Sequence, residues 1–176
     1  MNIEQKIKKM IRDVPDFPHD GIIFKDVTPL LSDPVLSNEI IETLIDRFSN
    51  VKIDAIVAIE SRGFFYGFLL ANKLNVPFIP VRKKGKLPGE TYEFTYELEY
   101  GTATVEIHMN DIKAGWNILI HDDLLATGGT AQAASELIKM QKGKVVGYAF
   151  VMELSFLQGR EKLQAYCDNI ISLATY

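Results

Sequence analysis

Ile118-Leu119-Ile120-His121-Asp122-Asp123-Leu124-Leu125-Ala126-Thr127-Gly128-Gly129-Thr130 is the stretch from which the fold can be read. Its first three apolar residues predict a strand buried on both faces, over Asn117 to Ile120. Two acids and a small-residue loop follow, and then Ala131, Ala134 and Ile138 recur at helical spacing, predicting a helix over Gly128–Gln141. A strand that runs through such a loop into a helix is half of a parallel α/β unit, and open α/β sheets bind ligands at the carboxyl ends of their strands. Thr127 to Thr130 offers several backbone N–H groups and two hydroxyls at a helix N-terminus, a set that suits a phosphate. The Gly128-Gly129 pair lets backbone approach the ligand closely. Two carboxylates beside that cradle would repel a polyphosphate, whereas sugar hydroxyls donate hydrogen bonds to them. The pattern therefore points to a ribose 5-phosphate group. The spacings GxxxxGK[ST] and GxGxxG are absent.

Outward from this segment the same alternation repeats. Ala55-Ile56-Val57-Ala58-Ile59 reads as a second buried strand, followed by a helix over Gly63 to Leu74 and strands over Pro77–Val81 and Val145–Val151. From Pro34 on, Ile40, Ile41, Leu44, Ile45 and Phe48 make a helix face, and Ile3, Ile7, Met10 and Ile11 make a short amphipathic one at the N-terminus. Between them lie a loop dense in turn residues, Pro15 to Gly21, and an extended segment, Ile22 to Thr28. The fold class is α/β, with a central parallel sheet flanked by helices. One interruption, between Val81 and Asn117, holds two β-alternating runs, Thr91 to Glu99 and Thr102 to His108, around Tyr100-Gly101. These predict a protruding β-hairpin lid.

The 176 residues carry 19 Lys plus Arg against 23 Asp plus Glu, a net charge of −4, with 47% hydrophobic and 24% charged residues. That composition supports a packed core and fits a single domain over 1–176. The acidic balance argues against a nucleic-acid partner. The longest nearly apolar stretch, Phe64 to Ala71, is far short of the ~20 residues that span a bilayer, so no membrane partner is expected. The lone Cys167 allows no internal disulfide and suits a reducing, cytoplasmic compartment. His19, His108 and His121 are too scattered for a zinc site, and no direct protein metal ligand is expected.

The acidic segment closely resembles the phosphoribosyl diphosphate-binding motif of the type I phosphoribosyltransferases. Further blocks specify the adenine branch of that family: Pro15-Asp16-Phe17-Pro18 with Gly21-Ile22-Ile23-Phe24-Lys25-Asp26, Glu60-Ser61-Arg62-Gly63-Phe64, Arg82-Lys83-Lys84-Gly85-Lys86-Leu87-Pro88-Gly89, Leu98-Glu99-Tyr100-Gly101 and Gly159-Arg160-Glu161-Lys162-Leu163. Together they span almost the whole chain in order. The resemblance implies a small hood over the sheet. It also implies transfer of the phosphoribosyl group from 5-phosphoribosyl 1-diphosphate to adenine, giving AMP and pyrophosphate, with Mg2+ bound through substrate oxygens. On that pattern Asp122 and Asp123 take the ribose hydroxyls, and Ala126, Thr127, Gly128, Gly129 and Thr130 the 5-phosphate. Glu60, Ser61, Arg62, Arg82, Lys83 and Lys86 serve the pyrophosphate, some of the basic ones reaching a neighbouring subunit, which implies a homodimer. Ile23, Phe24, Lys25 and Arg62 serve adenine, Phe24 by stacking and the Ile23 backbone by reading the base edge. Glu99 is the expected catalytic acid/base and Tyr100 part of the lid. From the residues alone, Glu60 to Gly63 also reads as a helix cap, Phe24 as a core residue and Glu99 as an exposed hairpin acid. Two other functions stay open: transfer to another base, and a phosphoribosyl diphosphate-responsive regulator that binds nucleic acid.

Overall fold

The computed structural model describes residues 1–98 and 101–176. An Asn2/Gln5 capping box opens α1 (Ile3–Met10), which leads into the two-stranded antiparallel hood, β1 (Arg12–Pro15) and β2 (Ile23–Asp26). The short α2 (Thr28–Leu31) precedes α3 (Pro34–Arg47), where the Asp33 carboxylate accepts from the Val35 and Leu36 amides at 3.0 and 2.9 Å and Pro34 sets the first-turn φ. Then follow β3 (Ala55–Ile59), α4 (Gly63–Leu74), β4 (Phe78–Lys83), β5 (Thr91–Glu97), β6 (Thr102–His108), β7 (Asn117–Leu125), α5 (Gly129–Met140), β8 (Lys144–Glu153), α6 (Gly159–Gln164) and β9 (Ile170–Thr175).

The main sheet has seven strands in the order β5-β6-β4-β3-β7-β8-β9. β4, β3, β7, β8 and β9 are parallel, as the alternation predicts, and β5–β6 is antiparallel. The hairpin is not detached from the sheet. Arg82 and Lys83 at the end of β4 pair with Glu106 and Val105, so the expected lid extends the sheet edge and makes it mixed. Two further strands escape the sequence reading. β1 is short and mostly exposed and β9 follows a six-residue helix, so each is carried by its partner strand and not by its own pattern.

Buried strands alternate between two cores. Val57, Ile59, Ile118, Ile120 and Phe150 pack under α5, while Ile56, Leu119, Ala149 and Val151 pack against α1, α3 and α4. Each fully buried Ile or Leu contributes about 1.5–3 kcal/mol, so the sheet is stable only with helices on both faces. β7 runs past its predicted end. Its pairing with β8 continues through Asp122↔Phe150, Leu124↔Met152 and Leu125↔Glu153, so the two acids belong to the strand and not to the loop. Among the described residues no helix is long and apolar enough to cross a membrane.

Candidate active site

The carboxyl ends of β3, β4 and β7 meet at one cleft of about 420 Å³, lined by Glu60, Ser61, Arg62, Lys83, Lys86, Asp122 and Asp123. Residues up to 63 apart in the chain thus converge because parallel strands end on the same edge of the sheet. β3 gives way through Glu60 and Ser61, joined by a cis peptide, to α4, with Arg62 at its N-cap. Gly63 must lack a side chain, since a Cβ there would lie 2.8 Å from Asp122 Oδ1.

Arg62 links two parts of the site. Its Nε lies 2.6 Å from Asp123 Oδ2, a carboxylate almost fully buried, and its guanidinium carbon is 5.1 Å from the centre of the Phe24 ring. One cation therefore connects the hood to the acid pair, with the guanidinium over an aromatic face. Asp122 accepts from the Asp123 amide at 2.9 Å. Burial, followed by the charge of Asp123, pushes the Asp122 carboxyl well above the usual carboxylate range. The neighbouring His121 is fully buried, and burial holds its pKa down to about 4, so its imidazole is neutral and brings no charge to the acids.

Phe24 is not a core residue. It is half-buried in β2, edge-on to Phe17 at 5.1 Å and beneath the Arg62 guanidinium, and Ile23 beside it is 57% exposed, so the Phe24 ring stands next to the cation that lines the cleft. Lys25 points to the opposite face of the strand, as β alternation requires. Its Nζ sits 2.7 Å from Asp13 and 4.4 Å from the Tyr176 ring, so only its backbone faces the side on which Phe24 lies.

The basic run divides. Lys83 and Lys86 line the cleft, whereas the Arg82 guanidinium is held by Glu60 at 3.0 and 3.2 Å and by the Lys86 carbonyl at 3.0 Å. The Glu60 carboxylate also accepts from the Lys83 amide at 3.0 Å, and the Arg82 hydrogen bonds keep it below its ordinary pKa. Glu60, at the end of β3, thus positions the basic residues at the end of β4. Glu106, which sequence reasoning missed, shapes the same loop. It is buried in β6 and accepts from the Lys86 and Leu87 amides, both at 2.8 Å. Burial opposes its charge, but the Leu87, Lys86 and Gly85 amides outweigh burial and hold its pKa below normal. Nothing in the sequence separates Glu106 from the exposed Glu93 and Glu97 on the paired strand.

Ala126 to Thr130 forms the turn from β7 into α5. Gly128 has φ +77°, and no side chain caps the helix, so the amides of its first turn are open to a ligand. The turn is backed by the start of α6, another unforeseen contact, where a Cβ on Gly159 would fall 2.2 Å from the Ala126 carbonyl oxygen. Arg160 locks α6 through a fork onto buried Glu153, at 2.7 to 2.9 Å, and onto the Ile170 carbonyl at 2.9 Å. Glu99 and Tyr100, the expected acid/base and lid residues, lie outside the described residues. Among the described residues no three His, Cys, Asp or Glu side chains cluster as a metal site.

Comparison with known proteins gives the same picture along the whole chain. The family model described as phosphoribosyl transferase domain matches residues 27–174. The adenine phosphoribosyltransferase of Cytophaga hutchinsonii is 51% identical over 174 residues, covering 99% of this chain and 96% of that one. The crystal structure of adenine phosphoribosyltransferase from Thermoanaerobacter pseudethanolicus superposes with a TM-score of 0.94 at 49% identity, covering 98% of this chain and 99% of that one. That of the Saccharomyces cerevisiae enzyme, complexed with an imino-altritol bisphosphate and adenine, gives 0.90 at 46% identity, covering 97% and 98%. The likeness extends over nearly every residue, including the cleft and the 126–130 turn: the chain belongs to the adenine phosphoribosyltransferase family.

Proposed function

We propose that this chain transfers the 5-phosphoribosyl group from 5-phosphoribosyl 1-diphosphate to adenine, forming AMP and pyrophosphate in purine salvage. The observation that carries the reading is Arg62, which lies over Phe24 and against Asp123 and so brings a flat aromatic base site and a carboxylate sugar site to one cleft. In the reaction adenine N9 forms a bond to the anomeric carbon while the C–O bond to diphosphate breaks and its electron pair leaves with the diphosphate. The departing charge develops beside Arg62, Lys83 and Lys86, whose positive charge stabilises it. Asp122 and Asp123 hold the ribose hydroxyls, and Ala126 to Thr130 hold the 5-phosphate through amides and hydroxyls. The base stacks on Phe24 with its edge on the Ile23 backbone, which selects adenine because the wrong base leaves buried polar groups unpaired. The proton lost from adenine goes to Glu99. Glu99→Gln should lower kcat about 10²-fold or more with modest change in KM, and nearly full kcat would remove it from the mechanism.

The donor set fits a magnesium ion: two adjacent carboxylates at the cleft supply hard oxygens but no complete cage, so the ion would take most of its ligands from substrate. When bound it would neutralise charge on the diphosphate. A homodimer belongs to the reading. Phe65, Phe68 and Leu69 are 49%, 58% and 43% exposed on one face of α4, an apolar patch that a second copy would cover. Arg82, fixed on Glu60 at the rim, is the residue proposed to reach the partner's diphosphate. We take residues 1–176 as one domain and, from free Cys167, place the protein in the cytoplasm. Incubation with magnesium, 5-phosphoribosyl 1-diphosphate and each free base tests the function. AMP with adenine alone is expected, and comparable use of hypoxanthine or guanine would overturn the base assignment.

A further inference from the structure

We propose that Tyr96 is a positioning residue for the 5-phosphate, acting through the Thr130 hydroxyl; the inference rests on the phosphate site at Ala126 to Thr130. β5 is the edge strand of the hairpin, and its alternation turns Tyr92, Phe94 and Tyr96 onto the core beneath α5, leaving Glu93, Thr95 and Glu97 exposed. Tyr96 does more than pack. Its ring lies against the start of α5, 3.3 Å from where a Cβ on Gly129 would stand, and its hydroxyl is 2.9 Å from Thr130 Oγ1. Phe94 fills its place in the same row without a hydroxyl, so packing alone does not require the Tyr96 oxygen.

A threonine hydroxyl has one proton and therefore one acceptor at a time. In the observed contact either hydroxyl can be the donor. A phosphate dianion is a stronger acceptor than a phenol, so a bound 5-phosphate takes the Thr130 proton and leaves Tyr96 donating to Thr130 Oγ1. The two bonds then polarise in one direction, and each strengthens the other. The consequence is reciprocal: Tyr96 orients the hydroxyl that binds phosphate, and phosphate fastens β5, three residues before Glu99, to the loaded turn.

The test is a double-mutant cycle of Tyr96→Phe and Thr130→Ala in the full chain. It is read by calorimetric binding of ribose 5-phosphate and by KM for 5-phosphoribosyl 1-diphosphate, with Thr130→Ser as the conservative control. Tyr96→Phe keeps the ring and should weaken ribose 5-phosphate about threefold to tenfold, leaving KM for adenine unmoved and lowering the unfolding midpoint by no more than about 2–6 °C. On a Thr130→Ala background it should cause no further loss, and on Thr130→Ser the loss should return. Unchanged binding by Tyr96→Phe, or the same loss without the Thr130 hydroxyl, overturns the proposal. If the parent chain binds ribose 5-phosphate but makes no AMP, the proposed function fails while this coupling is still decided; no binding by the parent overturns both.

Discussion

Gly159→Ala puts one methyl group where the structure has no room for it. The new Cβ would lie 2.2 Å from the Ala126 carbonyl oxygen and 3.0 Å from both the Gly128 nitrogen and Leu125 Cδ1. The first contact is more than an ångström short of ordinary van der Waals separation and the neighbour is backbone, so something must move. α6 is pinned by the Arg160 fork on Glu153 and the Ile170 carbonyl, whereas the 126–130 turn has no cap of its own, so the turn is the part that yields. A displacement of ~1 Å in groups that position a substrate costs about 10²-fold in rate, or about 2.7 kcal/mol of transition-state stabilisation. We therefore expect kcat/KM for 5-phosphoribosyl 1-diphosphate to fall about 10²-fold, ribose 5-phosphate affinity to fall with it, and KM for adenine to stay near its parent value. Overpacking should also lower stability by about 1–3 kcal/mol. Gly115→Ala is the control: Gly115 has φ +81° with nothing within 4 Å of an added Cβ, so it incurs only backbone strain of about 1–2 kcal/mol and should leave the kinetics alone. Steady-state kinetics with each substrate varied decide the matter. A Gly159→Ala enzyme within twofold of the parent in kcat/KM would refute the claim that α6 sets the phosphate turn.

Arg160→Met leaves Glu153, only 3% exposed, without its cation, and should cost about 3 kcal/mol and roughly 6–12 °C in Tm, with partial recovery on adding Glu153→Gln; calorimetry reads both. Asp26, which joins the hood to α2, has its pKa lowered to about 2 by the Thr28 hydroxyl and amide and by Arg12. A depressed acid stabilises the fold above its unfolded pKa, so about 2 kcal/mol present at neutral pH should fade as pH falls from about 4 to about 2, and Asp26→Asn should remove that part of the acid limb in urea titrations. Phe24→Ala removes the stacking face and should raise KM for adenine at least tenfold while ribose 5-phosphate binding, measured by calorimetry, stays within twofold.

The strongly periodic elements were legible in the chain itself. Ala55–Ile59 and Gly63–Leu74 stand where their apolar patterns put them, because a strand buried on both faces and an amphipathic helix each leave a period in the sequence. The order of acids, small residues and helix at Asp122 to Thr130 suggests a sugar-phosphate ligand by itself, and the resemblance it carries leads to the family that the comparisons show. What tertiary structure decided was direction and partnership. Lys25 and Phe24 are neighbours in sequence, yet strand alternation sends one to Asp13 and Tyr176 and the other toward the cleft. Arg82, Lys83 and Lys86 look equivalent as a basic run, but a carboxylate from another strand end takes Arg82 out of the cleft lining. Glu106 carries no local mark, Gly159 is marked only as part of a block that carries the family resemblance and not for its contact, and Tyr96 again carries none. Their roles arise from contacts across 19, 33 and 34 positions of chain, to Leu87, Ala126 and Thr130, and such long-range contacts exist only once the sheet has brought its strand ends together.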